Sequence, residues 1–297
     1  MTQSTKAIWS TRQSSRARDD APAADIARAV RLALAEDVGE GDLTSSALFA
    51  PEDSCQAQVV AKAHGILCGV EVAREVFTAA DPECTFEALA ADGKAVVPKA
   101  VVAQIEGSTQ AVLSGERTAL NFLGRLSGIA TLSRRYVEAV AGTGATILDT
   151  RKTTPGLRSL EKYAVRCGGA SNHRRGLDDG ILVKDNHVAL LADVSEATRR
   201  AIAGAPPDTM IEIEVETLDD VQDALAAGAA HLLLDNMTPT LLAETVRLVD
   251  GRAVLEASGG VTLENVRGIA STGVDMISSG ALTHSAPALD FSLEVCR

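Results

Sequence analysis

The sequence is short of aromatic side chains, paired cysteines, long apolar runs and positive charge. Phe, Trp and Tyr make up 3% of its 297 residues. A core must therefore be assembled from Ala, Val, Leu and Ile, a composition that suits helices packed on buried parallel strands. No apolar run approaches the ~20 residues that a membrane-spanning helix requires. Five cysteines (Cys55, Cys68, Cys84, Cys167, Cys296) are an odd number and show no CxxC spacing. That excludes a zinc-knuckle pattern and a complete disulfide framework, and points to free thiols in a reducing, cytoplasmic setting. Cys167 reads as a small buried thiol. With 28 Lys+Arg against 40 Asp+Glu the formal charge is −12, so nucleic acid and anionic membrane are poor partners.

Against that balance one stretch is basic. From Arg151 to Lys184 there are eight Lys/Arg and three Asp/Glu, a local charge of +5. Two apolar runs bracket it. Residues 145–148 open into Asp149, Thr150, Arg151 and Lys152, and residues 181–183 open into Lys184, Asp185, Asn186 and His187. Arg158, Lys162, Arg166, His173, Arg174 and Arg175 lie between. A basic cluster in an acidic chain suits a small, strongly anionic ligand.

Along the chain, residues 1–22 are polar, rich in Ser and Arg, and predict a disordered tail. The apolar face of a transit peptide is weak there. Residues 25–37 predict an amphipathic helix capped by Asp25, followed by a turn over 39–44. Residues 56–70 alternate as a strand that breaks at Gly65 and Gly69, and 71–80 read as a helix. Strand-like pieces follow at 85–88, 94–97 and 101–106, giving a small α+β layer. Residues 114–140 predict two helices, broken near Gly124–Gly128. Arg117 opens the first and reads, on spacing alone, as a solvated helix-surface residue.

From residue 145 the pattern changes. Six short apolar runs (145–148, 181–183, 210–215, 231–234, 253–257, 275–279) each end in polar groups. The last ends, Glu214, Asp235, Glu256–Ser258 and Ser279–Gly280, recur about every 21 residues. One strand, one helix and two short loops fill that spacing. The reading is an irregular or incomplete parallel β/α barrel, whose strand C-termini face one mouth. Lys152, Lys184, Glu214, Asp235, Ser258 and Gly280 then converge from 130 positions of sequence. Arginine suits a bidentate grip on carboxylate or phosphate, and lysine supplies a point charge. Ser258-Gly259-Gly260 and Ser279-Gly280 leave backbone N–H groups accessible to phosphate, at a position where barrels recurrently bind it. Glu214 and Asp235 suit sugar hydroxyls and Mg²⁺. Glu212 shares a strand face with Glu214, which is the favoured site member; Glu216 falls in the loop. The ligand so described carries a phosphorylated sugar, Mg²⁺ and a further anionic group.

These residues occur in recognisable segments: GERTALNFLGRLSGIAT (115–131), DTRKTTPGLRSLEKYAVRCGG (149–169), NHRRGLDDGILVKDNH (172–187), EIEVETL (212–218), LLLDNM (232–237), LEASGG (255–260) and SSGALTHS (278–285), with EDVGEGDLTS (36–45) before them. Over roughly residues 24–290 the chain resembles the quinolinate phosphoribosyltransferases, the carboxylating nicotinate-nucleotide pyrophosphorylases. The resemblance implies the α/β fold of a type II phosphoribosyltransferase. An N-terminal α/β sandwich spans 23–127, with 285–297 returning to it, and an irregular open α/β barrel spans 128–284. It implies transfer from phosphoribosyl pyrophosphate to quinolinate with Mg²⁺, giving nicotinate mononucleotide, pyrophosphate and CO₂. It also implies a homodimer or dimer-based hexamer in which Arg117 reaches a neighbouring subunit's site, displacing its bland reading. By position, Arg117, Arg151, His173 and Arg174 surround the two quinolinate carboxylates. Lys152 and Lys184 neutralise pyrophosphate and the carboxylate-rich centre. Glu214 and Asp235 take the ribose hydroxyls and the metal region, directly or through water. Ser258, Gly259, Gly260, Ser279, Gly280 and Ala281 take the 5′-phosphate, and Thr150 joins the Arg151–Lys152 loop.

Departures are small: Ser278-Ser279 stands where a bulkier aliphatic often precedes the glycine, and Cys167 replaces a commoner small residue. Three other readings compete. A related enzyme using nicotinate or another aromatic acid would not need so many arginines. A nucleotide sensor on the same fold would bind phosphoribosyl pyrophosphate without turnover. A Schiff-base aldolase would use Lys184 as nucleophile and leave a borohydride-trapped adduct.

Overall fold

The structure is a computed structural model that describes residues 23–296, so the tail read over 1–22 lies outside the described residues. The described chain packs as two compact units. One comprises residues 23–134, 153–169 and 282–296; the other comprises 135–152 and 170–281. Residues 128–134 and 153–169, assigned to the barrel by sequence, pack in the first unit.

The first unit begins with α1 (Ala23–Val38), which buries Ile26, Ala29 and Val30. The turn that follows is shorter than the sequence suggests. Asp42 accepts from Thr44 N and Ser45 N, each at 3.0 Å, and so caps α2 (Leu43–Leu48). A four-stranded sheet of order β12–β1–β5–β3 follows from β1 (Ser54–Ala61), β3 (Thr85–Ala88), β5 (Val101–Ser108) and the returning β12 (Phe291–Cys296). All three pairings are antiparallel, and Ala57 stands opposite Val295. A two-stranded piece pairs β2 (Gly65–Ile66) with β4 (Ala95–Val96). Helix α3 (Val70–Ala80) buries Val72, Ala73, Val76 and Phe77, and Phe77 stacks on Phe86 at 6.0 Å.

The predicted helix break does not occur: α4 (Thr109–Ala139) is one helix of 31 residues. Gly124 and Gly128, one turn apart, serve close packing. A Cβ on Gly128 would lie 2.1 Å from Pro287 O, and one on Gly124 2.9 Å from Leu289 O. The segment leading to β12 therefore crosses the helix at backbone distance. Each glycine costs about 1 kcal/mol of helix propensity, and that contact offsets the loss.

The second unit is built on six parallel strands in the order β6–β11–β10–β9–β8–β7. They are β6 (Thr146–Leu148), β7 (Ile181–Val183), β8 (Ile211–Val215), β9 (His231–Asp235), β10 (Val254–Ser258) and β11 (Met276–Ser278). With α5 (Arg158–Cys167) in the first unit, the helices here are α6 (Asp185–Val188), α7 (Val194–Gly204), α8 (Leu218–Ala226), α9 (Pro239–Val249) and α10 (Val266–Ala270), while α11 (Ala281–His284) starts at the last residue of this unit and otherwise belongs to the first. Helix α7 packs on β7 and β8, α8 on β8, and α10 on β11. β6 and β7 end the ladder, and one parallel bridge joins Leu148 to Ser171 beyond β6.

Register separates the two faces. Glu214 pairs with Leu233, Leu233 with Glu256, Glu256 with Met276, Asp235 with Ser258, and Leu148 with Ser278. Side chains alternate along a strand and align across a ladder. One face therefore carries Ile147, Val183, Ile213, Val215, Leu232, Leu234, Leu255, Ala257 and Ile277, all apolar and all buried. The other carries Glu212, Glu214, His231, Asp235, Glu256, Ser258 and Ser278 among a few apolar groups. Parallel strands covered on both sides read as continuous apolar runs. A polar inner face breaks that rule, and such breaks mark functional sites.

Candidate active site

The C-terminal ends of parallel strands share one rim. Asp149–Lys152 follow β6, Lys184 follows β7, Glu214 lies near the end of β8, and Asp235 and Ser258 close β9 and β10. Ser279-Gly280 follow β11. Lys184 Nζ donates to Glu214 Oε2 at 2.9 Å, and Asp185 N lies 3.3 Å from Glu214 Oε1. Glu214 is buried and Asp235 half-buried. Burial, then the neighbouring Glu214 charge, holds the Asp235 carboxyl above its ordinary range.

Two loops on the rim expose backbone. Gly259 and Gly260 have φ of +89° and +58°, and a Cβ on Gly259 would sit 2.1 Å from Asn236 Oδ1. Only glycine fits at Gly259. Asn265 clamps the turn through Thr262 N (2.8 Å) and Gly260 O (2.9 Å). Ser279 N donates to Leu148 O at 3.0 Å and its hydroxyl to Val261 O at 3.2 Å, so Ser279 ties β6 to the glycine loop. Gly280 and Ala281 lead into α11.

The basic side rests on a wholly buried anchor, Asp149. Its carboxylate accepts His173 N at 2.9 Å and Asn172 Nδ2 at 2.6 Å. Thr150 Oγ1 accepts Lys152 N at 3.0 Å, a turn that leaves Lys152 exposed. Arg174 is buried and donates from Nη1 to Gly180 O at 2.8 Å. Burial, and then the guanidinium of Arg151, lower its pKa. Two guanidiniums held close enough to repel, in a poorly solvated place, constitute an anion-binding arrangement.

Beneath the rim lies a polar core. His173 Nδ1 accepts the Arg174 N–H at 2.7 Å, so the ring proton is on Nε2. Nε2 is 3.0 Å from Glu212 Oε2 and 3.6 Å from Glu256 Oε1. His231 Nε2 lies 3.4 Å from Glu212 Oε1. Burial raises the Glu212 carboxyl; burial and then Glu212 push Glu256 up to about 8, so Glu256 holds a proton at neutral pH. Burial lowers His231, which is neutral. The three groups His173, Glu212 and Glu256 are spaced as metal ligands. A proton on the nitrogen that faces both carboxylates makes this a hydrogen-bonded cluster instead.

The rim thus gathers Thr150, Arg151, Lys152, Arg174, Lys184, Glu214, Asp235, Ser258, Gly259, Gly260, Ser279, Gly280 and Ala281 in one unit. His173 lies just below it, with both ring nitrogens engaged. Arg117 is exposed on α4 in the other unit, and Arg158, Lys162 and Arg166 of the basic stretch also fold there. Sequence reading passed over Asp149, His231 and Glu256 and set Glu212 aside. Their signal was phase: each is a polar residue inside or bounding an apolar run, in step with a site residue two or, for His231, four positions away. Sequence spacing also concealed a second cluster, in the first unit. There Cys68, Asp92 and Cys167 meet within 4.8 Å. Asp92 already accepts Val70 N, at the start of α3, at 3.1 Å and the Tyr163 hydroxyl at 2.8 Å, so both of its oxygens are engaged.

A sandwich unit and an open parallel barrel with cations, two acids and two glycine turns on its rim define a type II phosphoribosyltransferase. Family models agree over most of the chain. "Quinolinate phosphoribosyl transferase, N-terminal domain" matches residues 42–127, and the corresponding C-terminal domain matches 129–294. The chain belongs to the quinolinate phosphoribosyltransferase family. It is 45% identical over 260 residues to a probable carboxylating nicotinate-nucleotide pyrophosphorylase of Bacillus subtilis, covering 88% of this chain and 90% of that one. A similar relative from Synechocystis is 45% identical over 267 residues, covering 89% and 90%. The solved nicotinate-nucleotide pyrophosphorylase of Francisella tularensis superposes with a TM-score of 0.89 at 37% identity, over 94% of this chain and 98% of that one.

Proposed function

We infer that this chain transfers the phosphoribosyl group of phosphoribosyl pyrophosphate to the ring nitrogen of quinolinate, with loss of CO₂, in de novo NAD biosynthesis. The observation that carries this reading is the polar rim of the second unit, set in a chain of this family. Arg151 and Arg174, with His173 behind them, take the two carboxylates of quinolinate. Lys152 and Lys184 neutralise pyrophosphate. Glu214 and Asp235 accept from the ribose hydroxyls. The turns at Ser258–Gly260 and Ser279–Ala281 hold the 5′-phosphate.

The reaction follows from charge. As pyrophosphate departs, the ribose C1 becomes positive, and fixed cations on the leaving group with nearby carboxylates stabilise the separated charges. The two arginines hold the dicarboxylate so that its ring nitrogen faces C1. Once bonded, that nitrogen is cationic and accepts the electron pair released when the adjacent carboxylate leaves as CO₂. Partial desolvation of that carboxylate assists. No general base is required.

Mg²⁺ fits the donor set, because Glu214 and Asp235 are adjacent hard-oxygen ligands whose mutual repulsion a cation would relieve. When bound it neutralises pyrophosphate charge; the lysines and acids act as described. A cytoplasmic homodimer, or a dimer-based hexamer, completes the proposal, with Arg117 supplied to the neighbouring subunit's site.

The direct test is CO₂ release from carboxyl-labelled quinolinate with phosphoribosyl pyrophosphate and Mg²⁺, beside a nicotinate control. Release that requires both co-substrates, with nicotinate mononucleotide formed, supports the reading. Pyrophosphate formed with nicotinate alone transfers the protein to the monocarboxylate enzymes. For the shared site, Arg117→Ala and Lys152→Ala proteins, each inactive alone, regain part of the activity when mixed and allowed to exchange subunits. No recovery after demonstrated exchange means that each site is self-contained.

A further inference from the structure

The His173 side chain lies within the second unit, 7% exposed, and Glu212 and Glu256 beside it are 0% exposed. Its backbone N–H is held by Asp149 and its Nδ1 by the next residue's N–H, so the ring and the Arg174 backbone form one hydrogen-bonded unit. That arrangement requires the proton on Nε2 and an acceptor for it. Glu212 Oε2, at 3.0 Å, is the acceptor. Glu256 is too far for a hydrogen bond to that nitrogen.

We propose that Glu212 is a positioning residue: by accepting the His173 Nε2–H from inside the barrel, it locks the imidazole that holds the Arg174 backbone and so aims Arg174 at a substrate carboxylate. The proposal rests on the reading of Arg174 as a quinolinate ligand. It extends that reading to a residue that touches no substrate. Without an acceptor, the buried Nε2–H is orphaned. The other tautomer sets Nδ1–H against the Arg174 N–H, so the ring rotates and the Arg174 backbone is released.

Glu212→Met removes the acceptor, and Glu212→Gln keeps a carbonyl oxygen there. Orphaning a buried donor carries the full desolvation penalty of that group, so Glu212→Met is expected to raise the KM for quinolinate roughly tenfold or more. The KM for phosphoribosyl pyrophosphate stays within about twofold, and Glu212→Gln stays within about threefold of wild type for both substrates. Equal losses in Met and Gln variants, or equal rises in both KM values, overturn the proposal. A second measurement needs no substrate and no Met variant. In ¹⁵N-histidine NMR, wild-type His173 shows the Nε2–H tautomer, and its proton moves upfield in Glu212→Gln, because an amide accepts less strongly than a carboxylate. An Nδ1–H tautomer, or an unmoved signal, means that the contact is not made. A wild type without quinolinate activity sinks the functional reading and leaves the NMR result standing. An active wild type with an indifferent Glu212→Met sinks the positioning role alone.

Discussion

Lys184→Ala protein turns over at least about 10²–10³-fold more slowly than wild type, the loss seen when one fixed charge on a developing anion is removed. The expected loss has two sources. In the proposed reaction, Lys184 is the cation at the end of β7 that neutralises the leaving pyrophosphate. It is also the partner of Glu214 at 2.9 Å, and Glu214 is buried beside Asp235. Without Lys184, two neighbouring acids remain with less compensation, so quinolinate and pyrophosphate meet a more negative rim. Lys184→Arg restores the charge and recovers part of the rate; Lys184→Met does not. Single-turnover kinetics beside thermal melts check this. A Lys184→Ala enzyme that keeps near wild-type kcat would remove Lys184 from the mechanism.

The second large effect falls on stability. Arg125 stands on α4 in the first unit, and Glu161, on α5, is wholly buried. Glu161 accepts from Arg125 Nε (3.1 Å) and Nη2 (2.8 Å), and from Thr154 N (3.0 Å) and Oγ1 (2.7 Å). Arg125 also donates to Thr283 O and to Ala286 O. One guanidinium thus joins three separate stretches of chain. Arg125→Met leaves a buried carboxylate without its cation, which costs about 3–5 kcal/mol. The melting temperature falls by roughly 5–15 °C. Because replacing both members of a buried pair is often near neutral, Arg125→Met with Glu161→Leu recovers most of the loss. A single variant as stable as wild type would show that the Arg125–Glu161 pair contributes little to stability.

Much of the rim was legible before folding. Six apolar runs ending in polar groups, the last four about 21 residues apart, predict parallel strands with a common polar end. All six strands occur where the runs lie, because a run of Val, Ile and Leu bounded by loops has few alternatives to a buried strand. Lys184, Glu214, Asp235 and Ser258 follow from that geometry alone. The single helix α4 did not. Glycine spacing within a helical pattern reads as a break unless the partner is known, and the partner here, Pro287, is 159 positions from Gly128. Residues 153–169 pack in the first unit for a reason that is likewise non-local: the buried pairing of Arg125 with Glu161 is invisible in either segment by itself.

What the sequence by itself determined is chemistry carried by local pattern: strand phase, the basic stretch, the glycine turns, and the family to which they belong. Only the tertiary structure decided which polar side chains are buried, and against what. Glu212 and Glu214 have the same strand phase and the same residue type, and locally only the place of Glu214 nearer the strand end separates them. One is paired with Lys184 near the rim, and the other is sealed beneath it against His173. Depth along a barrel axis depends on the register of six strands together, and that register is a property of the assembled sheet.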